Sequence, residues 1–206
     1  MPMPLGVKVQ HQARHDELDR YNQLRDVAST LFFCNGYRAV SLRSLAAHIG
    51  LSSGSLYSHI DSKQNLLFEL VEESLELRNL AARAAVAKYT RRGGCPLEGF
   101  VAAVITNADA QRQNLVIAWR EEHNLSAEQK EKVRVLNQRY EGILRALITH
   151  QFHNGHVSET SITAIARSVL NVLAAYLYLP ANTLATAKAI KVYTAMAQAA
   201  ISEMFD

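Results

Sequence analysis

The chain has 206 residues, 49% of them hydrophobic, enough to bury one good core or a small module joined to a larger one. Its formal net charge of +3 permits nucleic-acid binding without suggesting it, and only 4 Pro and 9 Gly argue for long uninterrupted elements. Uninterrupted apolar runs fall far below the roughly 18 residues that a bilayer crossing needs. The N-terminal stretch MPMPLGVKVQHQARHDELDR lacks an apolar export core, and Cys34 and Cys95 form no spaced cluster. The expectation is a reduced, cytoplasmic protein with no membrane, no metal and no other cofactor.

Residues 1–15 read as a polar tail. From Asp16 the pattern turns helical, with Leu24, Val27, Ala28, Leu31 and Phe32 three and four apart, and Gly36 stops the helix. Ser41 stands where an N-cap belongs, ahead of Leu42, Leu45, Ala46 and Ile49 on one stripe. Gly50 ends this short second helix. Ser52 caps a third with Leu56 and Ile60 on its inner side, and Asp61 or Ser62 caps a fourth that runs from Lys63 to about Lys88. After the turn TRRGGCP (90–96), helices are expected at about 97–110, 114–123, 127–153, 159–178 and 183–205. No β-alternation persists and no repeat is visible. The chain is expected to be all-α, with about nine helices.

Residues 50–54, GLSSG, match G-x-S-x-G, the nucleophile elbow of α/β-hydrolases. An elbow needs a buried strand before the serine, and SLRSLAAHI (41–49) has helical spacing instead. The competing reading is helix–turn–helix, in which Gly50 makes the turn and Ser52 is a cap. The third helix supports it, because Ser53, Ser55, Tyr57, Ser58, His59 and Lys63 lie at or near exposed positions. Hydroxyls, a phenol, an imidazole and an ammonium suit phosphate oxygens and base edges, where a solvated helix would carry Glu, Lys and Ala. Gly54 costs helix stability but admits a close backbone approach.

SLRSLAAHIGLSSGSLYSHIDSKQNLL (41–67), preceded by LRDVASTLFFCNGYRAVS (24–41), resembles the DNA-binding signature of the TetR family of bacterial transcriptional regulators. The resemblance covers about residues 20–70. It departs at Ser53, often basic in relatives, and at Ile60, often Phe. It implies that Ser41 and Arg43 touch phosphate and a base edge, that Ser53, Ser55 and Ser58 face the major groove, and that Tyr57, His59 and Lys63 donate to phosphates. It also implies an enzyme-free regulator with a helix–turn–helix domain at 16–63 and a helical effector-binding and dimerisation domain at 64–206. Residues 1–63 carry seven Lys/Arg against five Asp/Glu, so affinity must come from placement and from two copies of the domain.

The partners expected from the resemblance are a palindromic double-stranded operator, a second copy of the chain and a small hydrophobic effector. Ile162, Val169, Leu173 and Tyr176 with Ile190, Tyr193, Ala197 and Ile201, on the last two helices, are either internal core or half of a four-helix dimer bundle. The effector cavity is expected among helices four to eight, with Trp119, His123, Tyr140 and Tyr176 as contacts and Tyr178 beside them. WREEHNLSAEQKEKVRVLNQRYEGILRALI (119–148) is similar to members that sense acyl-CoA thioesters, for which Arg91, Arg92 or Arg120 would receive the phosphates. His150, His153 and His156 are read as surface histidines near a helix end rather than a metal site. The leading function is a homodimeric repressor released from its operator by ligand. The alternatives are a DNA-binding protein of this fold without an effector and, third, a serine hydrolase acting through Ser52.

Overall fold

The computed structural model describes residues 5–151, 157–180 and 183–203, and every regular element among them is a helix. In chain order these are α1 (Leu5–Asn35), α2 (Leu42–His48), α3 (Ser53–Leu56), α4 (Lys63–Arg91), α5 (Pro96–Arg120), α6 (Ala127–Gln151), α7 (Glu159–Ala174) and α8 (Thr186–Ser202). Single 3₁₀ turns follow α5 (Glu122–Asn124) and α7 (Ala175–Tyr178).

Three expectations change. The polar tail is helical from Leu5, because its Gln, Arg, Glu and Leu are good helix formers and no proline interrupts them. The helices expected at 97–110 and 114–123 are one helix, α5, kinked at Gln111 (φ −130°, ψ 26°). The polar run Gln111-Arg112-Gln113 broke the apolar stripe without ending the helix, so eight α-helices stand among the described residues where about nine were expected. Finally, Glu159–Tyr178 is long and apolar enough to cross a membrane by length and composition, and most of it is not buried within this chain. Its apolar residues are interspersed with Ser, Thr, Arg and Asn, so no uninterrupted run betrayed it. One face of it packs in the core through Ile165, Ala166, Val169 and Leu173.

The starts of the early helices follow the caps read from the sequence. Ser41, Ser52 and Ser62 each accept a hydrogen bond at 3.0 Å from the backbone N–H three residues on. Such a cap contributes about 1 kcal/mol. Gly50 has φ +68°, a left-handed conformation that any other residue would strain to adopt, and it closes the α2–α3 turn.

Packing forms two clusters. The first joins Leu24, Ala28 and Phe32 of α1 to Leu45, Leu56 and Ile60, and also to Leu66, Leu67 and Leu70 on α4, Leu115 and Ile117 on α5, and Val133 on α6. It therefore does not stop at residue 63; α4 belongs to both halves. Each fully buried leucine or phenylalanine here contributes roughly 1.5–3 kcal/mol. The second cluster holds Phe100, Ile105, Leu144, Ile148, Val169, Tyr193 and Ile201. Close approach of α4 and α5 depends on Gly99, where a Cβ would lie 2.9 Å from Tyr89 Cγ and 3.0 Å from the Ala85 carbonyl.

Candidate nucleic-acid interface and effector cavity

The helix–turn–helix is assembled by caps on its outer side and leucines within. Leu45, Leu56 and Ile60 are buried, which turns Arg43, Ser55, Tyr57 and Ser58 outward and leaves His59 half-buried. Tyr57 is 60% exposed, a large ring turned mostly to solvent. Ser41 and Ser55 are also exposed, although their oxygens have local work: Ser41 caps α2, and Ser55 lies 2.8 Å from the Ser52 hydroxyl. Ser58 donates to the Ser55 carbonyl at 2.7 Å. The side chain of Ser53 lies outside the described residues. A Cβ on Gly54 would meet nothing nearer than the Ser52 hydroxyl at 3.8 Å, so nothing inside the chain requires glycine there.

Lys63 is placed differently from its expected role as a phosphate donor. Its ammonium donates to the carbonyls of Tyr37 at 3.0 Å and Val40 at 2.7 Å, and sits 4.1 Å from the Tyr37 ring centroid. Burial pulls its pKa down from the ordinary value. Two of three N–H donors thus clamp the α1–α2 turn, leaving one for anything outside. Ser52 is a helix cap preceded by α2 rather than by a strand, which is not the setting of an elbow nucleophile.

A cavity of about 630 Å³ opens between α4, α5, α6, α7 and the Ala175–Tyr178 turn. That volume suits a drug-sized ligand. Leu75, Val104, Val133 and Leu170 make its walls apolar. Trp119 and Tyr178 both line it, packed edge to face at 5.7 Å between centroids, and so does Tyr140. Burial pushes the Tyr140 phenol up to about 12. Arg78 and Asn107 also reach the wall, and Arg167 pairs with Glu141 at 3.0 Å on it.

Several expected ligand contacts lie elsewhere. His123 does not line the cavity; its Nδ1 is 3.1 Å from the Arg120 carbonyl on the 3₁₀ turn. Tyr176 is buried against Tyr193 and donates its hydroxyl to Asp109 Oδ1 at 2.9 Å, also away from the cavity wall. Arg91 and Arg92 end α4 in solvent, and Arg120 is occupied elsewhere. His153 and His156 lie outside the described residues, and no cluster of metal-ligating groups occurs among those described. Val169, Leu173, Tyr176, Tyr193, Ala197 and Ile201 are buried within the subunit, which leaves the opposite faces of α7 and α8 for any partner.

Sequence reasoning named Trp119, Arg120 and His123 for the ligand but missed the second role of the segment Trp119–Asn124, its grip on the helix–turn–helix. Trp119 and Glu122 line the cavity, whereas Arg120, Glu121 and Asn124 hold the helix–turn–helix. Arg120 donates to the carbonyls of Phe32 and, at 3.0 Å, Phe33 in the last turn of α1. Its Nε reaches the buried Glu121 at 2.8 Å, and Glu121 also accepts from Asn124 at 2.9 Å. Asn124 in turn accepts from Arg38 at 3.1 Å and, through its carbonyl, from Gln64 at 2.8 Å. No periodicity could announce this, because the six residues face two ways within two turns.

Among the described residues, then, a capped helix–turn–helix is joined to helices that enclose a ligand-sized cavity. The model of the bacterial regulatory proteins of the tetR family matches residues 24–70, and that of the tetracyclin repressor-like C-terminal domain matches residues 96–177. The chain belongs to the TetR family. It is 42% identical over 57 residues to the HTH-type transcriptional repressor KstR2 of Rhodococcus jostii, a match covering 28% of each chain. The curated relatives it matches are thus spanned over about 28% of their length. Among solved structures, the TetR family regulator PfmR of Thermus thermophilus superposes with a TM-score of 0.73 at 26% identity, over 87% of this chain and 97% of that one. AibR, solved with isovaleryl coenzyme A and operator DNA, superposes with a TM-score of 0.72 at 20% identity, over 86% and 97%.

Proposed function

We propose that the chain is a DNA-binding transcriptional repressor, active as a homodimer on a palindromic operator and released when a small hydrophobic ligand fills the cavity. The observation that carries the proposal is the two-way segment Trp119–Asn124. A ligand touching Trp119 and Glu122 shares a backbone with the groups that hold α1, the Arg38 turn and the start of α4. A ligand that binds one arrangement of that segment more tightly shifts the population towards it, and so alters the spacing of two recognition helices. On the DNA side, Arg43, Ser55, Tyr57, Ser58 and His59 are the reading surface, with Ser41 at its edge.

The dimer surface is proposed on the outer faces of α7 and α8, where Val172 and Met196 are 38% and 50% exposed. A partner there also explains why so little of the apolar segment Glu159–Tyr178 is buried in one subunit. An acyl-CoA thioester is the ligand class that AibR suggests, and the matched KstR2 proteins are repressors. For such a ligand, Arg167 on the cavity wall replaces Arg91, Arg92 and Arg120 as the phosphate partner. Mapping of genomic sites bound by the chain, followed by gel shift on those sites with and without acyl-CoA thioesters, tests the reading. Release of a palindromic site by a thioester is expected. Binding that no ligand alters would leave the effector-free DNA-binding protein instead.

A further inference from the structure

Arg78 lies on α4 in the wall of the cavity, and its Nε is shut off from solvent with no hydrogen-bond partner. Its Nη2 donates to Asn137 Oδ1 at 2.8 Å, and its guanidinium carbon stands 4.1 Å from the Tyr140 ring centroid. Both partners are neutral. Among the described residues no carboxylate pairs with it, and burial pulls its pKa below the ordinary value with only Tyr140 acting against that. A guanidinium remains charged even so. An isolated buried charge is costly unless something pairs with it.

Asn107, on α5 in the same cavity, repeats the pattern. Its Oδ1 accepts from Gln111 at 3.2 Å, which leaves Nδ2 as the free group. That Nδ2 is buried and without an acceptor. Two residues of the cavity wall thus each hold a buried donor without an acceptor, one of them on a charged group. The other charged groups on the wall are Glu122 and the ion pair of Arg167 with Glu141.

We propose that the ligand is an acid: an apolar molecule bearing a carboxylate that Arg78 and Asn107 receive inside the cavity. The proposal rests on the reading above of a small hydrophobic effector and gives that effector a free carboxylate in place of the thioester that AibR suggests. The ring of Tyr140 stacks one side of the guanidinium, and Asn137 holds one of its nitrogens. The fork is thereby oriented before the ligand arrives, as bidentate recognition of a carboxylate requires.

The test uses the full chain and Trp119, its single tryptophan and a residue of the cavity wall, as a fluorescent reporter. Matched pairs are titrated: decanoate against decanol, and 2-naphthoate against 2-naphthalenemethanol. Acids are expected to bind at least about tenfold tighter than their alcohols, the effect of one charge-assisted hydrogen bond. Arg78→Met should erase the preference while leaving the alcohol affinities within about twofold, on the same reasoning. Should that variant fail to fold by circular dichroism, Arg78→Lys should keep the preference and Asn107→Leu should weaken the acids alone. Equal affinity of acid and alcohol in the natural chain, failure of every acid to bind, or a preference that survives Arg78→Met overturns the proposal. Gel shift separates the two readings. An Arg78-dependent acid preference that leaves DNA binding untouched strikes the repressor reading only. Release of DNA by acid and alcohol at equal concentrations strikes this one only.

Discussion

Arg120→Met tests the join between cavity and helix–turn–helix. The substitution keeps the aliphatic stem but removes the donors to Phe32, Phe33 and Glu121. Phe32 O retains the Gly36 N–H at 3.0 Å, so the losses that matter are the Phe33 carbonyl and the buried Glu121 carboxylate. Charge-assisted hydrogen bonds contribute about 1.5–3 kcal/mol each. Because 37% of the Arg120 side chain is exposed, the low end applies, giving about 3 kcal/mol for the variant. At about 2–4 °C per kcal/mol for a chain of this size, thermal melting followed by circular dichroism should fall by roughly 6–12 °C. The double variant with Glu121→Gln should recover at least about 1 kcal/mol relative to the two single effects, since the orphaned carboxylate is then gone. In gel shift, any ligand effect on DNA affinity should shrink in step. A melting temperature within about 2 °C of the natural chain, or strictly additive single effects, would refute the coupling.

Three further outcomes follow from the same structure. Tyr57→Ala should weaken DNA binding about tenfold without lowering the melting temperature, because the ring is exposed and a lost phosphate contact is the only cost; an unchanged gel shift removes Tyr57 from the interface. Ser52→Ala should cost about 1 kcal/mol in denaturant unfolding through loss of the α3 cap, and a serine-directed covalent probe should not label the natural chain; labelling would restore the nucleophile. The Tyr140 phenol, raised by burial from 10.0 to about 12, is neutral in folded and unfolded chains below pH 10. Above that only the unfolded chain ionises, so about 2–3 kcal/mol of stability is lost as the pH rises from 10 towards 12. Tyr140→Phe should remove that share of the loss and leave the share of Tyr21, which is also raised to about 12, and an identical curve would contradict the burial.

What the sequence by itself determined is the local part of the molecule. Ser41, Ser52 and Ser62 cap helices through bonds to residues three positions on, and Gly50 makes its turn through its own φ. Such interactions are encoded within a few residues, so the helix–turn–helix and its outward Ser55, Tyr57 and Ser58 were legible, and GLSSG resolved into a turn. The length of α1 and the unity of α5 were misread because polarity resembles a break when only the stripe is counted. The site beyond the first 63 residues depended on distance. Arg120 meets Phe32 across 88 positions and Gln129 meets Asn65 across 64, and no spacing rule relates them. Lys63 looked like a free cation until the fold brought two carbonyls to it. Nothing in the sequence singles out Arg78, which gains its place only where α6 brings Asn137 and Tyr140 to it. Burial is a property of the whole chain, and it is burial that separates a solvated charge from a ligand-binding one.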